Sequence, residues 1–337
     1  MIKSDKDYTL FVLALSRMTF LSLKEKFILL NNIDSLYDLV ILSIEDISKK
    51  IGRKSRAYWN PSELIRMVKK DLYLIEKMNI SFVLYNESNY PSLLKEISDP
   101  PFLLFYRGDI KVLENNCVSV VGTRKIVGHA AKECFDFSKD AALDGITVIS
   151  GLAYGVDKKA HEGAIEAFFE AKDKNLVGKT VAVLPSGIDE IVPSGHKRLV
   201  SKILSSGGCI ISEYPPGEGA KPYRFVQRNR IIAGLSLNTV IIQAPPGSGA
   251  MLTAEFAVDY NREVMVHSVA FCEESLRIST FVRNQLLLEA KFKESIGKKL
   301  NNDPEYYVQD GAKIIKSYAD YKLICNKIKF AQKTLFD

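Results

Sequence analysis

The chain has 337 residues, enough for one large core with a smaller satellite unit. Hydrophobic residues make up 47% of the chain and charged residues 26%, values that exclude a disordered or a fibrous protein. The 46 Lys and Arg residues exceed the 40 Asp and Glu residues by only six, so the net charge alone does not indicate a nucleic-acid-binding protein. Any anion site must therefore come from local clustering of the basic residues.

The cysteines indicate a reducing compartment, and the N-terminal segment does not resemble a signal peptide. Five cysteines without CxxC spacing are typical of small core residues, not of disulfides or zinc ligands. The apolar stretch TLFVLALS follows Asp5 and Asp7 and precedes Arg17, without a cleavage pattern, so we expect no signal peptide. No apolar run reaches the roughly 18 residues that a membrane span needs. We expect a cytoplasmic protein without a membrane partner.

Residues 8–70 are predicted to form short helices. Apolar residues recur at helical spacing in TLFVLALSRM, KEKFILL and SLYDLVILS. Ser43, three residues before Asp46, predicts an N-cap pair, and Gly52 predicts the end of that helix. Helices this short must pack together. We expect a small all-helical module over residues 1–75, similar to SAM or helix–hairpin–helix modules, which serves for packing or interaction more often than for contacting DNA.

From about residue 80 short apolar runs alternate with helical stretches. The predicted strands are NCVSVVG, ITVIS, TVAVLP, CIIS, NTVIIQA and EVMVHSV. Continuous apolar strands separated by helices indicate a mostly parallel sheet covered on both faces. Right-handed crossovers then give an extended Rossmann-like, doubly wound α/β fold. Residues 275–302 are polar and helix-prone and interrupt this alternation.

Small, Gly-rich turns follow four of these strands: VVGTRKIVG, ISGLAYGVD, LPSGID and QAPPGSGAMLTAE. Ligands of doubly wound sheets bind at the carboxyl ends of the strands. Backbone N–H groups and helix N-termini exposed there can bind phosphate, whereas the alternative is plain turn chemistry. The candidate phosphate-binding residues on these turns are Gly122, Thr123, Gly151, Gly247, Ser248 and Gly249.

Basic residues are concentrated in the same segments. Residues 191–254 carry seven Lys and Arg residues against two Glu residues. Arginine suits phosphate because its planar guanidinium group offers a fork of donors. Tyr223 and Phe225 lie among these cations and could stack on a base, although core packing is the commoner role of such residues. The candidate cations are Arg124, Lys197, Arg228 and Arg230, of which the last two should point in different directions.

The missing motifs argue against catalysis. GxGxxG, GxxxxGK[ST], HExxH and GxSxG are all absent, and the four histidines lack metal-ligand spacing, so we expect no cofactor and no metal. Asp157 and His161 should share a helix face after a Gly-rich turn. They could form an acid–base couple, but a helix-start cap beside a satisfied histidine is the favoured interpretation. An anion site without catalytic groups remains.

The motifs themselves resemble those of a known family. YPSLLKEISDPPFLLFYRGDI, VSVVGTRKIVGHAA, VISGLAYGVDKKAHEGAI, VAVLPSGIDEIVP, IISEYPPGEG, FVQRNRIIAGLS and SGAMLTAEFAVDYNREV occur in the order and spacing typical of the DNA-processing protein A (DprA, or Smf) family. The resemblance runs from about residue 80 to 270. The RNRIIAGLS and SGLAYGVDKKAH motifs are its most specific parts.

The resemblance implies a homodimer whose Rossmann domain, here residues 76–325, binds single-stranded DNA. It further implies that the protein protects incoming strands in natural transformation, loads the RecA recombinase onto them, and is not an enzyme. The family's glycine–small–arginine motif falls on Gly122, Thr123 and Arg124. Its basic position before the next helix falls near Lys197, and its arginine–asparagine–arginine motif falls on Arg228, Asn229 and Arg230.

Departures from the family pattern leave alternatives open. Pro185 stands where glycine is usual, residues 271–302 form an insertion, and we expect residues 326–337 to be a tail without a winged helix. These departures put the RecA-facing and dimer surfaces in doubt and allow a role in a mobile element or in phage defence. One alternative is a nucleoside-monophosphate phosphoribohydrolase, because PPGSGAMLTAE with Thr253 and Glu255 is similar to the catalytic loop of those enzymes. Another is a sensor of a small nucleotide signal.

Overall fold

The computed structural model describes residues 5–290 and 297–333. The helix-prone stretch predicted over residues 275–302 is therefore described only in part. Residues 1–4 of the predicted N-terminal module and residues 334–337 of the predicted tail also lie outside the described residues.

The described part of the N-terminal region is helical, as predicted. It consists of α1 (Asp5–Arg17), α2 (Leu23–Asn32), α3 (Leu36–Val40), α4 (Ile44–Ile51) and α5 (Pro61–Met78). The predicted cap of α4 is confirmed, because the Ser43 side chain accepts a hydrogen bond from the Asp46 N–H and the Asp46 carboxylate accepts one from the Ser43 N–H. The helix ends at Gly52, whose φ of 75° favours glycine.

The described residues that follow form a nine-stranded sheet. Its strands are β1 (Ser81–Leu84), β2 (Leu103–Gly108), β3 (Cys117–Val121), β4 (Thr147–Ser150), β5 (Thr180–Val183), β6 (Cys209–Ser212), β7 (Asn238–Ile241), β8 (Glu263–His267) and β9 (Lys313–Ile315). Their order across the sheet is β1-β2-β6-β5-β4-β3-β7-β8-β9. The β1–β2 and β2–β6 pairs are antiparallel and the other pairs are parallel.

Helices cover both faces of this sheet. They are α6 (Ser92–Lys95), α7 (Gly128–Leu143), α8 (Val156–Glu170), α9 (Lys197–Ser205), α10 (Pro222–Gly234), α11 (Gly249–Asp259), α12 (Glu273–Ala290), α13 (Gly297–Leu300), α14 (Pro304–Gln309) and α15 (Tyr318–Lys333). The extended Rossmann-like fold predicted from the alternating pattern is thus confirmed. Within residues 5–290 and 297–333, no helix is both long and apolar enough to cross a bilayer.

The six strands predicted from apolar runs are all present, whereas β1, β2 and β9 were not predicted. The segment between β1 and β2 contains only the four-residue helix α6, so the strand–helix alternation that indicates parallel strands is missing there. β9 has three residues, of which only Ile315 is buried. Such short edge strands carry little periodic signal.

The N-terminal helices share a hydrophobic core with the sheet. Leu13 of α1 and Val68 of α5 are fully buried in the same cluster as Phe105 of β2 and Ile210 of β6. Of the proposed domain boundaries, the one at residue 75 falls inside α5 and the one at residue 325 falls inside α15. The division into a module, a Rossmann domain and a tail remains a proposal.

The chain reverses its direction of winding between β3 and β7. From β3 the strand order runs through β4 to β6 on one side, and from β7 through β8 to β9 on the other. The loops that leave β3 and β7 therefore diverge and open a crevice at the carboxyl edge of the sheet, where doubly wound proteins bind their ligands.

Candidate anion-binding cleft

A cleft of about 290 Å³ lies at this switch point. Its walls are the turn after β3 (residues 122–124), one side of α10 and the first residues of α11 (residues 248–250). We call it the inner cleft, because it lies on the side of α10 that faces the sheet. Of the candidate phosphate-binding residues, the structure brings seven together here: Gly122, Thr123, Arg124, Arg228, Asn229, Ser248 and Gly249.

The turn after β3 is held tightly against the neighbouring loops. The Thr123 N–H donates to the Gln243 carbonyl oxygen (2.6 Å), and the Thr123 carbonyl oxygen accepts from the Val156 N–H (3.1 Å). A Cβ on Gly122 would lie 2.4 Å from the Val156 side chain and 2.7 Å from the Gln243 carbonyl oxygen. Glycine at this position lets the turn approach both neighbours, which fixes the backbone just before Arg124.

Arg124 is exposed at the mouth of the inner cleft. Its guanidinium group lies over the half-buried Phe225 ring, 5.2 Å from the ring centroid. No carboxylate among the described residues forms an ion pair with Arg124. The Phe225 ring orients the guanidinium group, and the N–H donors of that group remain free to bind an anion.

Arg228 forms the floor of the cleft and is buried. Its Nη1 donates to the carbonyl oxygens of Gly151 (2.5 Å) and Val183, and so joins the carboxyl ends of β4 and β5. A Cβ on Gly151 would lie 2.5 Å from this nitrogen, so Gly151 provides the space for the guanidinium group. Burial lowers the pKa of Arg228 to about 10, against the attraction of Asp157. Arg228 therefore stays charged at neutral pH.

Asp157 and His161 bond to different partners and form no hydrogen bond with each other. The buried Asp157 carboxylate accepts a hydrogen bond from the Ala153 N–H (3.1 Å), and burial raises its pKa against the effect of Arg228. His161 Nδ1 bonds to the Thr180 hydroxyl (2.7 Å), and burial lowers the pKa of His161 to about 3. The histidine is bonded separately, as the favoured interpretation has it, but Asp157 is not a helix cap: the N-cap residue of α8 is Gly155, without a side-chain cap hydrogen bond, and Asp157 instead bonds to the loop before the helix.

The N-terminus of α11 closes the inner cleft. Ser248 is its N-cap residue, and the Ser248 Oγ is buried without a hydrogen-bond partner among the described residues. Asn229 Nδ2 donates to the Gly249 carbonyl oxygen (3.0 Å), which ties α10 to the start of α11. The eleven-residue helix directs its free N–H groups and the positive end of its dipole into the cleft.

Four candidate residues lie outside the lining of the inner cleft. Gly151 sits behind Arg228, and Gly247 turns towards Lys299 and donates its N–H to the Asn302 carbonyl oxygen (2.9 Å). Lys197 is the exposed first residue of α9.

Arg230, the fourth of these residues, points away from Arg228. Its Nε donates to Asp99 and its Nη2 to Glu213, both at 2.7 Å. Burial alone would lower the pKa of Arg230, but the two carboxylates raise it. Arg230 is therefore already neutralised by carboxylates.

Two residues near the cleft were not singled out from the sequence. Gln243 holds the turn after β3 through its backbone carbonyl, and its side-chain Oε1 accepts from the Val127 N–H (3.1 Å). Tyr154 is half-exposed in the turn after β4, with its ring 4.7 Å from that of His196. Two sequence features could have indicated them. Gln243 is a polar residue at the end of an apolar run, and Tyr154 is an aromatic residue in a Gly-rich turn.

The residues of the enzymatic alternative are not gathered in the cleft. Thr253 is buried and lines the cleft, whereas Glu255 is exposed and is not part of the lining. Glu255 instead lies near Tyr307 of α14, where its charge helps to raise the pKa of that tyrosine, although burial is the larger cause. Among the described residues, no three His, Cys, Asp or Glu side chains are grouped closely enough to hold a metal ion.

The fold and this cleft define a Rossmann-like α/β protein with a positively charged pocket at its topological switch point. The chain belongs to the family described as DNA recombination-mediator protein A, which residues 81–321 match. The resemblance inferred from the motifs is therefore confirmed.

Two relatives and one solved structure illustrate the extent of the similarity. Protein Smf of Borreliella burgdorferi is 34% identical over 261 residues, which is 77% of this chain and 80% of that protein. DNA processing protein DprA of Streptococcus pneumoniae is 37% identical over 179 residues, 52% of this chain and 58% of that protein. An X-ray structure of DprA from Streptococcus pneumoniae matches with a TM-score of 0.65 and 27% identity, covering 93% of this chain and 95% of that chain.

Proposed function

We propose that this protein binds single-stranded DNA by its phosphates at the inner cleft. The observation that carries the proposal is the pairing of an exposed arginine that lacks a carboxylate partner, Arg124, with the N-terminus of α11 across one cleft. Guanidinium forks and helix N-termini are the groups that bind phosphate oxygens in proteins. Family membership supports the same function, because relatives carry the name DNA processing protein.

The site residues of this proposal follow from the geometry. Arg124 binds a phosphate directly, and the Gly249 N–H and the unpartnered Ser248 hydroxyl bind a neighbouring oxygen. Arg228 supplies fixed positive charge from below, because the carbonyls of Gly151 and Val183 already hold its Nη1. Lys197 contributes from the exposed start of α9 as a screened charge. Arg230 does not bind DNA, since its ion pairs occupy it.

Aromatic rings near the inner cleft favour single strands over duplex. The half-buried Phe225 ring lies beneath Arg124, and Tyr154 is half-exposed on the turn after β4, whereas Tyr223 at the start of α10 is not part of the lining. Unpaired bases can stack on such rings, whereas the bases of a duplex offer no free face. Contacts to phosphate carry no sequence information, so the inner cleft alone does not select a base.

The protein is proposed to act without catalysis. An enzyme of the phosphoribohydrolase type would need Glu255 in the cleft, and that residue lies near Tyr307 instead. His161 stays uncharged at neutral pH and is bonded to Thr180, which leaves no acid–base couple with Asp157. Incubation with nucleoside monophosphates should release no free base. Release of base that is lost in Glu255→Gln would move the protein to the enzyme class.

We further propose that the protein is a cytoplasmic homodimer that protects incoming strands and passes them to the RecA recombinase. Membership of the recombination-mediator family supports this role. The insertion reaches the glycine loop after β7, because Gly247 contacts α13, so the surfaces for the second subunit and for RecA can differ from those of relatives. Light scattering with and without DNA tests the dimer, and a strand-exchange assay with RecA tests the hand-over.

A titration with labelled single-stranded and blunt duplex DNA at several salt concentrations tests the binding function. We expect single strands to bind more tightly than duplex, and both to weaken steeply as salt rises, because phosphate contacts release counterions. Equal affinity for blunt duplex at moderate salt would contradict the proposal.

A further inference from the structure

The N-terminal helices carry a run of basic residues that the proposed binding site does not use. Residues 47–62 contain five Lys and Arg residues and no Asp or Glu residue. The run begins in the last turn of α4 and continues into residues 54–60, which form neither helix nor strand. A run of like charge is commonly a solvated face, so the pairing and the shape of this one decide what it can bind.

Exposure alternates along the segment that follows α4. Lys54, Arg56 and Tyr58 are exposed, whereas the residues between them are half-buried. Alternation with a period of two indicates an extended backbone, whose exposed side chains share one face about 7 Å apart. The segment therefore presents two cations and an aromatic ring on a single face.

Hydrogen bonds of the half-buried residues hold this segment in place. The Ser55 N–H donates to the Ser48 Oγ of α4 (3.0 Å). The Trp59 Nε1–H donates to the Leu42 carbonyl oxygen, just before α4 (2.8 Å). Both ends of the segment are thus tied to α4 and its N-terminal flank, which fixes the exposed face.

The end of α4 adds a further cation to this face. The Gly52 N–H donates to the Lys49 carbonyl oxygen (3.3 Å), and the Arg53 N–H donates to the Ser48 carbonyl oxygen (3.2 Å). These bonds fold the start of the segment back onto the last turn of the helix. The exposed Lys50 of that turn therefore lies beside the segment.

The cations of the run differ in their partners. Arg53 is bonded to the carboxylate of Glu25 (2.5 Å) and to the Phe20 carbonyl oxygen (2.8 Å). Lys49 lies 3.8 Å from a carboxylate oxygen of Asp46. Three cations form no ion pair within the described ranges 5–290 and 297–333, namely Lys50, Lys54 and Arg56. We call these three residues and Tyr58 the N-terminal basic surface.

Tyr58 adds an accessible aromatic ring to the unpaired cations. Its side chain is 80% exposed, and its hydroxyl accepts a hydrogen bond from Asn60 Nδ2 (3.1 Å), which restrains the ring. Cations interleaved with accessible aromatic rings bind single strands, because the cations contact phosphates while a base stacks on the ring. A membrane surface would instead favour a basic helix with an apolar face, and residues 54–60 are not helical.

The N-terminal basic surface is joined to the wall of a second cleft, on the side of α10 opposite the inner cleft. This outer cleft of about 810 Å³ lies between the outer side of α10 and the start of α2. Lys24 and Lys26 of α2 line it, and Glu25 between them is the carboxylate that binds Arg53. A strand bound at both places must therefore cross α10, about 10–12 Å wide with its side chains, and the mouth of the outer cleft. Only a long strand can reach both.

We propose that the N-terminal basic surface is a second binding site for a single DNA strand whose other part lies at the inner cleft. The second site rests on the proposed function, since the same strand is held at the inner cleft. A strand already bound there reaches the second site in an intramolecular step, which raises the overall affinity without new contacts at the first. Affinity then depends on strand length, a dependence that the inner cleft alone does not provide.

Titrations of the full chain with short and long oligo(dC) test the second site. The short strand has about 8 nucleotides, within the range of a single site, and the long strand about 40. In the triple variant Lys50→Gln, Lys54→Gln, Arg56→Gln, affinity for the long strand should fall about tenfold and affinity for the short strand should not change. The slope of log affinity against log salt should become shallower by about 2 on the long strand only, because three phosphate contacts are lost.

Two further variants sharpen this test. The triple variant Lys111→Gln, Lys172→Gln, Lys313→Gln is the matched control, because it removes the same charge from exposed lysines outside both clefts and should bind both lengths like wild type. Tyr58→Ala should weaken the long strand about fivefold with an unchanged salt slope, because the ring contributes stacking and no charge. Thermal melts check the fold of each variant.

Arg124→Ala separates the second site from the proposed function, because it should weaken both lengths. If the Lys50, Lys54 and Arg56 variant binds the long strand like the control variant, the second site is overturned, while the loss in Arg124→Ala still supports DNA binding at the inner cleft. If that variant instead loses binding to vesicles of anionic lipid and keeps its affinity for the long strand, the surface binds a membrane and the proposal is also overturned. If neither length binds to wild type, the proposed function and the second site both fail.

Discussion

The two sides of α10 are both rich in arginine, but they differ in what balances the positive charge. On the outer side, Arg224 and Arg230 are bonded to carboxylates. On the inner side, Arg228 is bonded to backbone carbonyls, and Arg124 has no carboxylate partner among the described residues. Of these four arginines, only the two of the inner side have no carboxylate bonded to them among the described residues. Pairing, and not the number of basic residues in a segment, determines where an anion can bind.

The largest predicted effect on stability comes from replacing Arg228, which forms the floor of the inner cleft. Arg228→Met should lower the free energy of unfolding by about 3 kcal/mol, because the carbonyls of Gly151 and Val183 lose their donor in a buried site. Urea denaturation followed by circular dichroism measures the change. Arg228→Lys is the control and should recover only part of the stability, since one ammonium group cannot reproduce the planar fork. Full stability in Arg228→Met would show that this residue is not structural.

Replacing Arg230 on the outer side of α10 should have a smaller effect on stability and no effect on phosphate binding. Arg230→Met should lower the free energy of unfolding by about 2 kcal/mol, because the largely buried Glu213 loses its partner while Asp99 remains bonded to Tyr260. Affinity for oligo(dC) should stay close to that of wild type. If Arg230→Met loses as much affinity for oligo(dC) as Arg124→Ala does, the phosphate-binding site lies on the outer side of α10 and the proposed site is wrong.

Replacing Lys26, the unpaired cation of the outer side, should change the free energy of unfolding least and should raise it instead of lowering it. Lys26→Met should raise the free energy of unfolding by about 1 kcal/mol at pH 7, because the buried ammonium group has no carboxylate partner among the described residues. The unfolded chain holds this proton up to the ordinary pKa of 10.5, whereas the folded chain releases it near 8. Wild type therefore gains stability as the pH rises from 8 to 10.5.

The advantage of Lys26→Met should accordingly shrink over the same pH range, as denaturation at pH 7, 9 and 10.5 can measure. Lys50→Met is the control and should show no such trend. An advantage that grows with pH would contradict the assigned burial of Lys26.

The sequence was sufficient for six of the nine strands of the sheet and for expecting a cleft at their carboxyl ends. Continuous apolar runs predicted the six strands from β3 to β8, and Gly-rich turns after them predicted a ligand site at their carboxyl ends. These features are local, because each depends on a few neighbouring residues. The cap of Ser43 and Asp46 was predictable for the same reason.

The partners of the arginines were not predictable from local patterns. Helical geometry indicated that Arg228 and Arg230 diverge, but not which of them would meet carboxylates. Arg230 is bonded to Asp99, which lies 131 residues away in the chain, and Arg228 is bonded to the end of β5, 45 residues away. The shared core of the N-terminal helices and the sheet is also built from distant residues, so a separate module was the simpler expectation.

The comparison of Arg124 with Lys125 in a single-stranded DNA titration tests the central claim most directly. The two residues are neighbours and both are exposed, but only Arg124 lines the inner cleft. Arg124→Ala should cost about 1–3 kcal/mol of binding free energy, the range for a lost charged hydrogen bond, with an unchanged melting temperature. Lys125→Ala should cost less than about 1 kcal/mol, as for a solvated charge. If Arg124→Ala binds like wild type while Lys125→Ala does not, the phosphate site is not at the inner cleft.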